Sequence, residues 1–388
     1  MKILFVDVFD AESVLRWSGI PSRILERLRM SEEVILCHKL NRIMRWLYIP
    51  YVVECKLRGL HYLMDRQRLI ARHYAYQVRK AYELHKPDLV FSAGTPFALA
   101  YLPANIPTAF WADALMNQLI DFYYPTANLH KRTVEAGEQL DKLALQKSIA
   151  SIFSSEWAAN AARRFVPESS DRIFFVPFGA NTVSNPAPKG PKSLPVDPSQ
   201  TINFLFVGMN WNRKGGQDAV DALSILRSQG YNVRLSIVGA SPLTGGLYSD
   251  FIHQYGFLRG DVEAEKKRLQ HLNEEAHFFI MPTHAECSAI VFAEAASYGL
   301  PVIARDVGGT SSMVDRNLNS ILIGHDDKPN DLADAIRPLL SDPERYRAMS
   351  AASRELFTRR LNWANAVGQV TKIFEDALRV RPGTDWPN

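Results

Sequence analysis

The chain has 388 residues, 47% hydrophobic and 22% charged, with a formal net charge of +4. Such a composition is that of a soluble globular enzyme long enough for two cores, and the small charge gives no reason to expect a nucleic-acid partner. No apolar run approaches the ~20 residues needed to span a bilayer, and Cys37, Cys55 and Cys287, without a Cys-x-x-Cys, exclude a disulfide framework or a thiolate zinc site and fit a reducing cytosol.

Lys2–Phe9 has the bias of a buried first strand. Its apolar run ends at Asp7 and no small-residue cleavage site follows, so a strand rather than a signal peptide is expected. A polar loop, Asp10–Trp17, leads to Ser18–Gly19–Ile20–Pro21, which opens a helix through Met30. Gly19 would let the backbone approach a phosphate or sugar; a plain turn glycine ahead of an N1 proline looks the same.

The segment 39–86 is unusual, with eleven Lys/Arg against three acids. Val53, Leu57, Leu60, Met64, Ala71, Tyr74, Val78 and Tyr82 recur at helical spacing and predict one apolar stripe, preceded by Trp46–Ile49. Arg68, Arg72 and Arg79 lie about a quarter turn from it, at roughly 100° per residue. Two readings stay open: a basic aromatic surface for anionic lipid or a phosphorylated carrier, and a long helix packed on the first domain with a solvated basic face.

Asp88–Ser92 and Pro107–Ala112 predict strands, the second ending at Asp113, which is either a sugar contact or the cap of the following turn. Helices are expected over 129–148 and 156–165, with a strand at Ala150–Phe153 between them. Ile173–Val176 is followed by Pro177–Phe178–Gly179–Ala180–Asn181. Ser184–Gln200 holds five prolines among lysines and serines, so it is expected to be a linker.

Thr201–Val207 opens a second domain as a buried strand. Gly208–Met209–Asn210–Trp211–Asn212–Arg213–Lys214–Gly215–Gly216 then leads into a helix over 217–229. Adjacent cations and glycines at a helix start suit a pyrophosphate, through point charge, close backbone and donor amides; a solvated basic turn is the plainer account. Val233–Gly239 is a further strand, Ser241–Gly246 a loop and Asp261–Leu272 a helix. Ala276–Ile280 predicts a short buried strand and Ala289–Gly299 a helix, ended by glycine and then Pro301. Between them Glu286 falls in the loop and Glu294 about a turn inside the helix. Amides around Ser288, Ala289 and Ile290 make a ready anion site. Pro301–Arg305 is a strand, Gly308–Gly309–Thr310 a tight turn, and 331–340, 343–356 and 363–380 are helices.

Glu286-x7-Glu294, followed by Gly299–Ala304 and Gly308–Gly309, resembles the signature of retaining GT-B glycosyltransferases of family 4, the glycogen-synthase and bacterial mannosyltransferase type. Arg213–Lys214 and Pro177–Asn181 match the same family. The resemblance covers most of the chain, but its motifs are specific only in 173–181, 207–216 and 281–310. It implies an α/β GT-B fold, two Rossmann-like doubly wound domains facing across a cleft. The expected bounds are 1–183 for the acceptor-side domain, 184–200 for the linker, 201–362 for the nucleotide-sugar domain, and 363–388 for a helix crossing back.

Through the resemblance, Arg213 and Lys214 hold the diphosphate of a UDP- or GDP-sugar and offset charge on the leaving group. Glu286 contacts the transferred sugar, and Glu294 takes the ribose. Gly19, Gly208, Ser288, Ala289 and Ile290 line the donor. Two departures stand out. Met209 occupies a place where relatives carry arginine. No histidine follows Ala112, so Asp113 is the candidate catalytic side chain there. With no Asp-x-Asp in the chain, neither metal nor cofactor is expected. The implied activity is metal-independent transfer of a hexose, with retention, to a glycan, lipid-linked or small-molecule acceptor. The enzyme would be cytoplasmic, with peripheral contact to the inner leaflet through 39–86. An epimerase or hydrolase of the same shape, or a non-catalytic nucleotide-sugar-binding protein, remain the alternatives.

Overall fold

The computed structural model describes residues 1–125, 128–182, 190–195, 197, 199–239 and 250–380. The loop expected at Ser241–Gly246 and part of the expected linker, at 184–189, 196 and 198, lie outside these. The chain groups into two units, Met1–Val176 with Ala366–Asn388, and Pro177–Asn365.

The first unit is a parallel six-stranded sheet in the order β2-β1-β3-β4-β5-β6. Its strands are β1 (Lys2–Val6), β2 (Glu33–Cys37), β3 (Leu89–Ala93), β4 (Thr108–Ala112), β5 (Ala150–Phe153) and β6 (Ile173–Phe175). The helices are α1 (Ile20–Leu28), α2 (Ile49–Leu57), α3 (Arg68–His85), α4 (Met116–Leu119), α5 (Lys131–Lys147) and α6 (Glu156–Phe165). Every residue of β3, β4 and β5 is buried, because a parallel sheet covered on both faces leaves no solvent side. Phe374, from the C-terminal helix, is fully buried with its ring 5.1 Å from that of Phe91 on β3.

The second unit repeats the plan in the order β12-β11-β10-β7-β8-β9. Its strands are β7 (Ile202–Gly208), β8 (Val233–Gly239), β9 (Ile252–Gln254), β10 (Phe278–Met281), β11 (Val302–Arg305) and β12 (Ser320–Ile323). Counted from β7, this is the strand order of a dinucleotide-binding sheet, whose direction of winding reverses between β7 and β10. The helices are α7 (Gly216–Ser228), α8 (Glu263–Glu275), α9 (Ile290–Ser297), α10 (Pro329–Leu340), α11 (Pro343–Arg359) and α12 (Trp363–Val380), the last running on into the first unit's residues. The described part of the expected linker is bound to this unit. Lys192 Nζ caps the end of α8 by donating to the carbonyls of Asn273, Glu274 and Ala276 at 2.9, 2.7 and 2.6 Å.

Two expectations are corrected. The stripe from Val53 to Tyr82 is not one helix. A 3-10 helix (Ile43–Tyr48) runs into α2, which ends before Gly59, left-handed at φ +69°. After a second short 3-10 turn, the extended Gln67 (ψ 143°) resets the chain for α3. On α3, Ile70, Ala71, Tyr74, Ala75 and Val78 form core, so that half of the stripe is packing. β2, β9 and β12 were not anticipated. Each lies at a sheet edge, where burial is incomplete and the apolar pattern weak.

Candidate functional site

Loops leaving the carboxyl ends of adjacent parallel strands at a point of reversed winding form a crevice suited to a ligand. In the second unit those loops follow β7 and β10, and they hold Arg213, Lys214 and Glu286. The loop after β7 is tightly wound. Asn210 Oδ1 accepts from the Arg213 amide at 3.0 Å, and the Lys214 amide donates to Asn210 O at 2.9 Å. Trp211 is buried against Gly216, where a Cβ would meet its ring at 2.2 Å. Gly215 has φ +69°, and a Cβ there would sit 2.1 Å from the carbonyl oxygen of Pro282. Only glycine lets the two loops approach this closely.

Contacts between the loops fix the side chains. The His284 amide donates to Arg213 O at 2.8 Å, and the buried Thr283 hydroxyl lies 3.0 Å from the carbonyl oxygens of both Arg213 and Ala285. Arg213 Nη1 donates to Ala285 O at 2.7 Å and stands 3.6 Å from Glu286 Oε2. Lys214 Nζ donates to that same carboxylate oxygen. The Gly309 amide, from the loop after β11, donates to Glu286 O at 2.8 Å. Glu286 is buried, so deleting its charge would strand two cations at a cost of about 3–5 kcal/mol.

Ser288, Ala289 and Ile290 stand at the start of α9, where first-turn amides lack intrahelical acceptors. The Ser288 hydroxyl points to Met313 Sδ at 3.6 Å. Glu294 is partly exposed and lies one turn after Ile290. Its charge is one of those acting on Tyr298, a turn further on. Gly208 ends β7, and a Cβ there would be 3.1 Å from Lys214 Cγ. Contacts in the second unit thus join Gly208, Arg213, Lys214 and Glu286, while Ser288, Ala289, Ile290 and Glu294 follow on α9 and its approach.

Gly19 and Asp113 belong to the first unit. Gly19 is left-handed (φ +73°) and precedes α1, after Trp17 and Ser18, also at positive φ. Trp17 Nε1 donates to Asp113 Oδ2 at 3.2 Å, and its ring covers Gly94, where a Cβ would lie 2.4 Å away. Asp113 therefore anchors the β1–α1 loop. It does not cap α4, whose N-cap is Leu115. Beneath the loop the fully buried Asp7 is ion-paired with Arg16, and burial pushes its carboxyl up despite that partner.

Sequence reasoning overlooked one network beside the site. His284 Nε2 lies 3.2 Å from Asp218 Oδ2, to which the buried Arg305 donates at 2.7 Å. Arg305 also ties down the carbonyls of Gly324, His325 and Asp327. Burial pushes the His284 pKa down. Asp218 in the first turn of α7 was legible as a helix-start acid; nothing in the sequence marks a strand-end arginine as its partner.

With this geometry in place, residues 201–342 match the profile of the glycosyl transferases group 1 family. A D-inositol 3-phosphate glycosyltransferase of Xylanimonas cellulosilytica is 31% identical over 254 residues, 61% of this chain and 58% of that protein. A GDP-mannose-dependent alpha-(1-6)-phosphatidylinositol monomannoside mannosyltransferase of Mycobacterium tuberculosis is 31% identical over 182 residues, 43% of this chain and 46% of the other. The chain thus spans less than two thirds of these curated relatives. Among solved structures, sucrose-phosphate synthase of Thermosynechococcus elongatus superposes with a TM-score of 0.69 at 16% identity, covering 98% of this chain and 99% of that one. Anabaena HepE in complex with UDP gives 0.64 at 16% identity, covering 97% and 100%. The fold is GT-B, with two Rossmann-like doubly wound domains.

Proposed function

We propose that the protein is a retaining, metal-independent glycosyltransferase that moves a hexose from a UDP- or GDP-sugar to an acceptor hydroxyl. The convergence of Arg213 and Lys214 on Glu286 at the switch point of the second unit supports transfer from a diphosphate donor without a metal, and retention is what the family resemblance implies. The bond from the anomeric carbon to the diphosphate breaks, its electron pair leaves with phosphate, and the acceptor oxygen takes its place. Cations fixed in advance stabilise charge that builds on the leaving group more than they stabilise the bound donor. Arg213, Lys214 and the start of α9 supply that charge. Glu294 takes the ribose hydroxyls, and Glu286 both orients Lys214 and meets the transferred sugar. The domain arrangement proposed is an acceptor-side domain at 1–183, a linker at 184–200, a donor domain at 201–362 and a returning C-terminal helix. Gly19 and Gly208 line the donor, and Asp113 is the catalytic side chain of the first domain, at the transferred sugar.

Names of the relatives support a nucleotide-sugar donor and acceptors bearing inositol phosphate or a lipid. NMR of the first-formed product, with and without chelator, tests the proposal. Retained configuration and chelator-insensitive turnover are expected; an inverted linkage, or activity restored only by manganese, would overturn it. A non-catalytic nucleotide-sugar binder is the second reading, favoured by Asp113 where relatives carry histidine. Calorimetry showing donor binding, without product from any acceptor, would select it.

A further inference from the structure

The 3-10 helix and α2 leave Ile43, Trp46, Ile49, Val53 and Leu57 exposed, at 63, 61, 55, 51 and 84%. Spaced three or four residues apart, they share one face. The opposite side is held down: Cys55 is buried, and the Tyr51 and Tyr62 rings stack at 5.7 Å. Exposed cations lie on the stripe's own helix and at the start of the neighbouring α5. Lys56, Arg58, Lys131 and Arg132 are all exposed, and the Arg132 guanidinium sits 4.7 Å over the Tyr51 ring. The facing acids are Glu54, 3.2 Å from Arg58, and Glu135, 3.5 Å from Lys131. The arginines of α3 are engaged in the same way, Arg72 over Tyr101 and Arg79 with Glu83, but there the apolar stripe is core rather than exposed.

We propose that this face, rather than α3, docks the protein on an anionic lipid bilayer. Trp46 and Leu57 enter the headgroup boundary while Lys56, Arg58, Lys131 and Arg132 meet lipid phosphates. Charge complementarity selects this occupant: an apolar stripe with exposed cations beside it, on a helix too short to span, lies in an anionic interface. No helix among the described residues is long and apolar enough to cross a membrane. The proposal deepens the function above by giving it a lipid-phase acceptor, and rests on that reading for this step alone.

The test uses the full chain and phosphatidylcholine vesicles with and without phosphatidylserine. Co-sedimentation should require phosphatidylserine and fall with salt, since exposed charges are screened within about 8 Å at physiological ionic strength. Trp46→Ser with Leu57→Ser, and separately Lys56→Glu with Arg58→Glu, should each lower partitioning by roughly ten-fold or more. Circular dichroism and calorimetric UDP or GDP binding should stay at wild-type values in both. Equal binding to neutral vesicles, no vesicle binding, or unchanged partitioning of either folded variant would overturn the proposal. A wild-type dimer that the Trp46→Ser/Leu57→Ser variant dissolves, without lipid binding, would assign the face to a second copy instead. Vesicle capture without nucleotide binding would sink the proposed function and leave the docking face standing.

Discussion

Lys214 Nζ and the carboxylate of Glu286 form an ion pair between residues 72 apart, joining the loops after β7 and β10. With its counter-ion already in place, Lys214 can be held in position before any diphosphate arrives. Lys214→Ala should therefore lower kcat as well as nucleotide affinity, because the lost charge acts most on the departing diphosphate. Steady-state kinetics alongside UDP and GDP titrations check this. A variant changed in KM alone would return Lys214 to ground-state binding.

Glu286→Gln separates the two roles of that carboxylate. Stability should fall, because Arg213 and Lys214 lose a buried partner, and nucleoside diphosphate should restore part of the loss by supplying new negative charge. Thermal melts with and without nucleotide measure it. Equal destabilisation with saturating nucleotide would mean that the diphosphate does not reach these cations.

Glu294→Ala should weaken the donor and spare the acceptor. Losing a charge-assisted bond to a ribose hydroxyl costs about 1.5–3 kcal/mol, roughly a 10- to 150-fold rise in donor KM. An unchanged donor KM in a folded variant would remove the ribose from Glu294.

Gly215→Ala should destabilise the second unit by about 2 kcal/mol or more, from left-handed strain and the collision with Pro282 O. Gly260→Ala, with open space around it, is the control and should stay within about 0.5 kcal/mol. Urea denaturation of both compares them. Equal midpoints would show that the loops separate without penalty.

His277 makes stability depend on pH. Burial, with Lys192 adding to it, pushes its pKa down to about 4 from 6.5, and Nδ1 accepts the Asn203 amide at 2.9 Å. Because the folded value is the lower one, the unfolded chain takes up the proton first. The contribution is complete above pH 6.5 and is lost as pH falls toward 4, a loss of about 3 kcal/mol. His277→Asn should flatten that part of the profile in urea titrations; coincident profiles would count against it.

The sequence by itself determined the architecture and the loops that carry most of the candidate site. Strand cores such as Ile3–Val6 and Phe278–Met281 are apolar because both faces are covered, and that pattern is local. Arg213–Lys214 before Gly215–Gly216, and Glu286-x7-Glu294, were legible because each sits within one loop–helix unit. Tertiary structure alone decided what depends on partners distant in the chain. Edge strands β2, β9 and β12 are defined by pairing rather than by pattern. Gly59 and Gln67 break a continuous apolar stripe into a core half on α3 and an exposed half on α2, which period alone cannot separate. Asp113 became the anchor of Trp17, 96 residues away, and Arg305 the partner of Asp218, 87 away. A charge or hydroxyl seeks whatever partner the fold brings within reach, and spacing along the chain carries no record of that meeting.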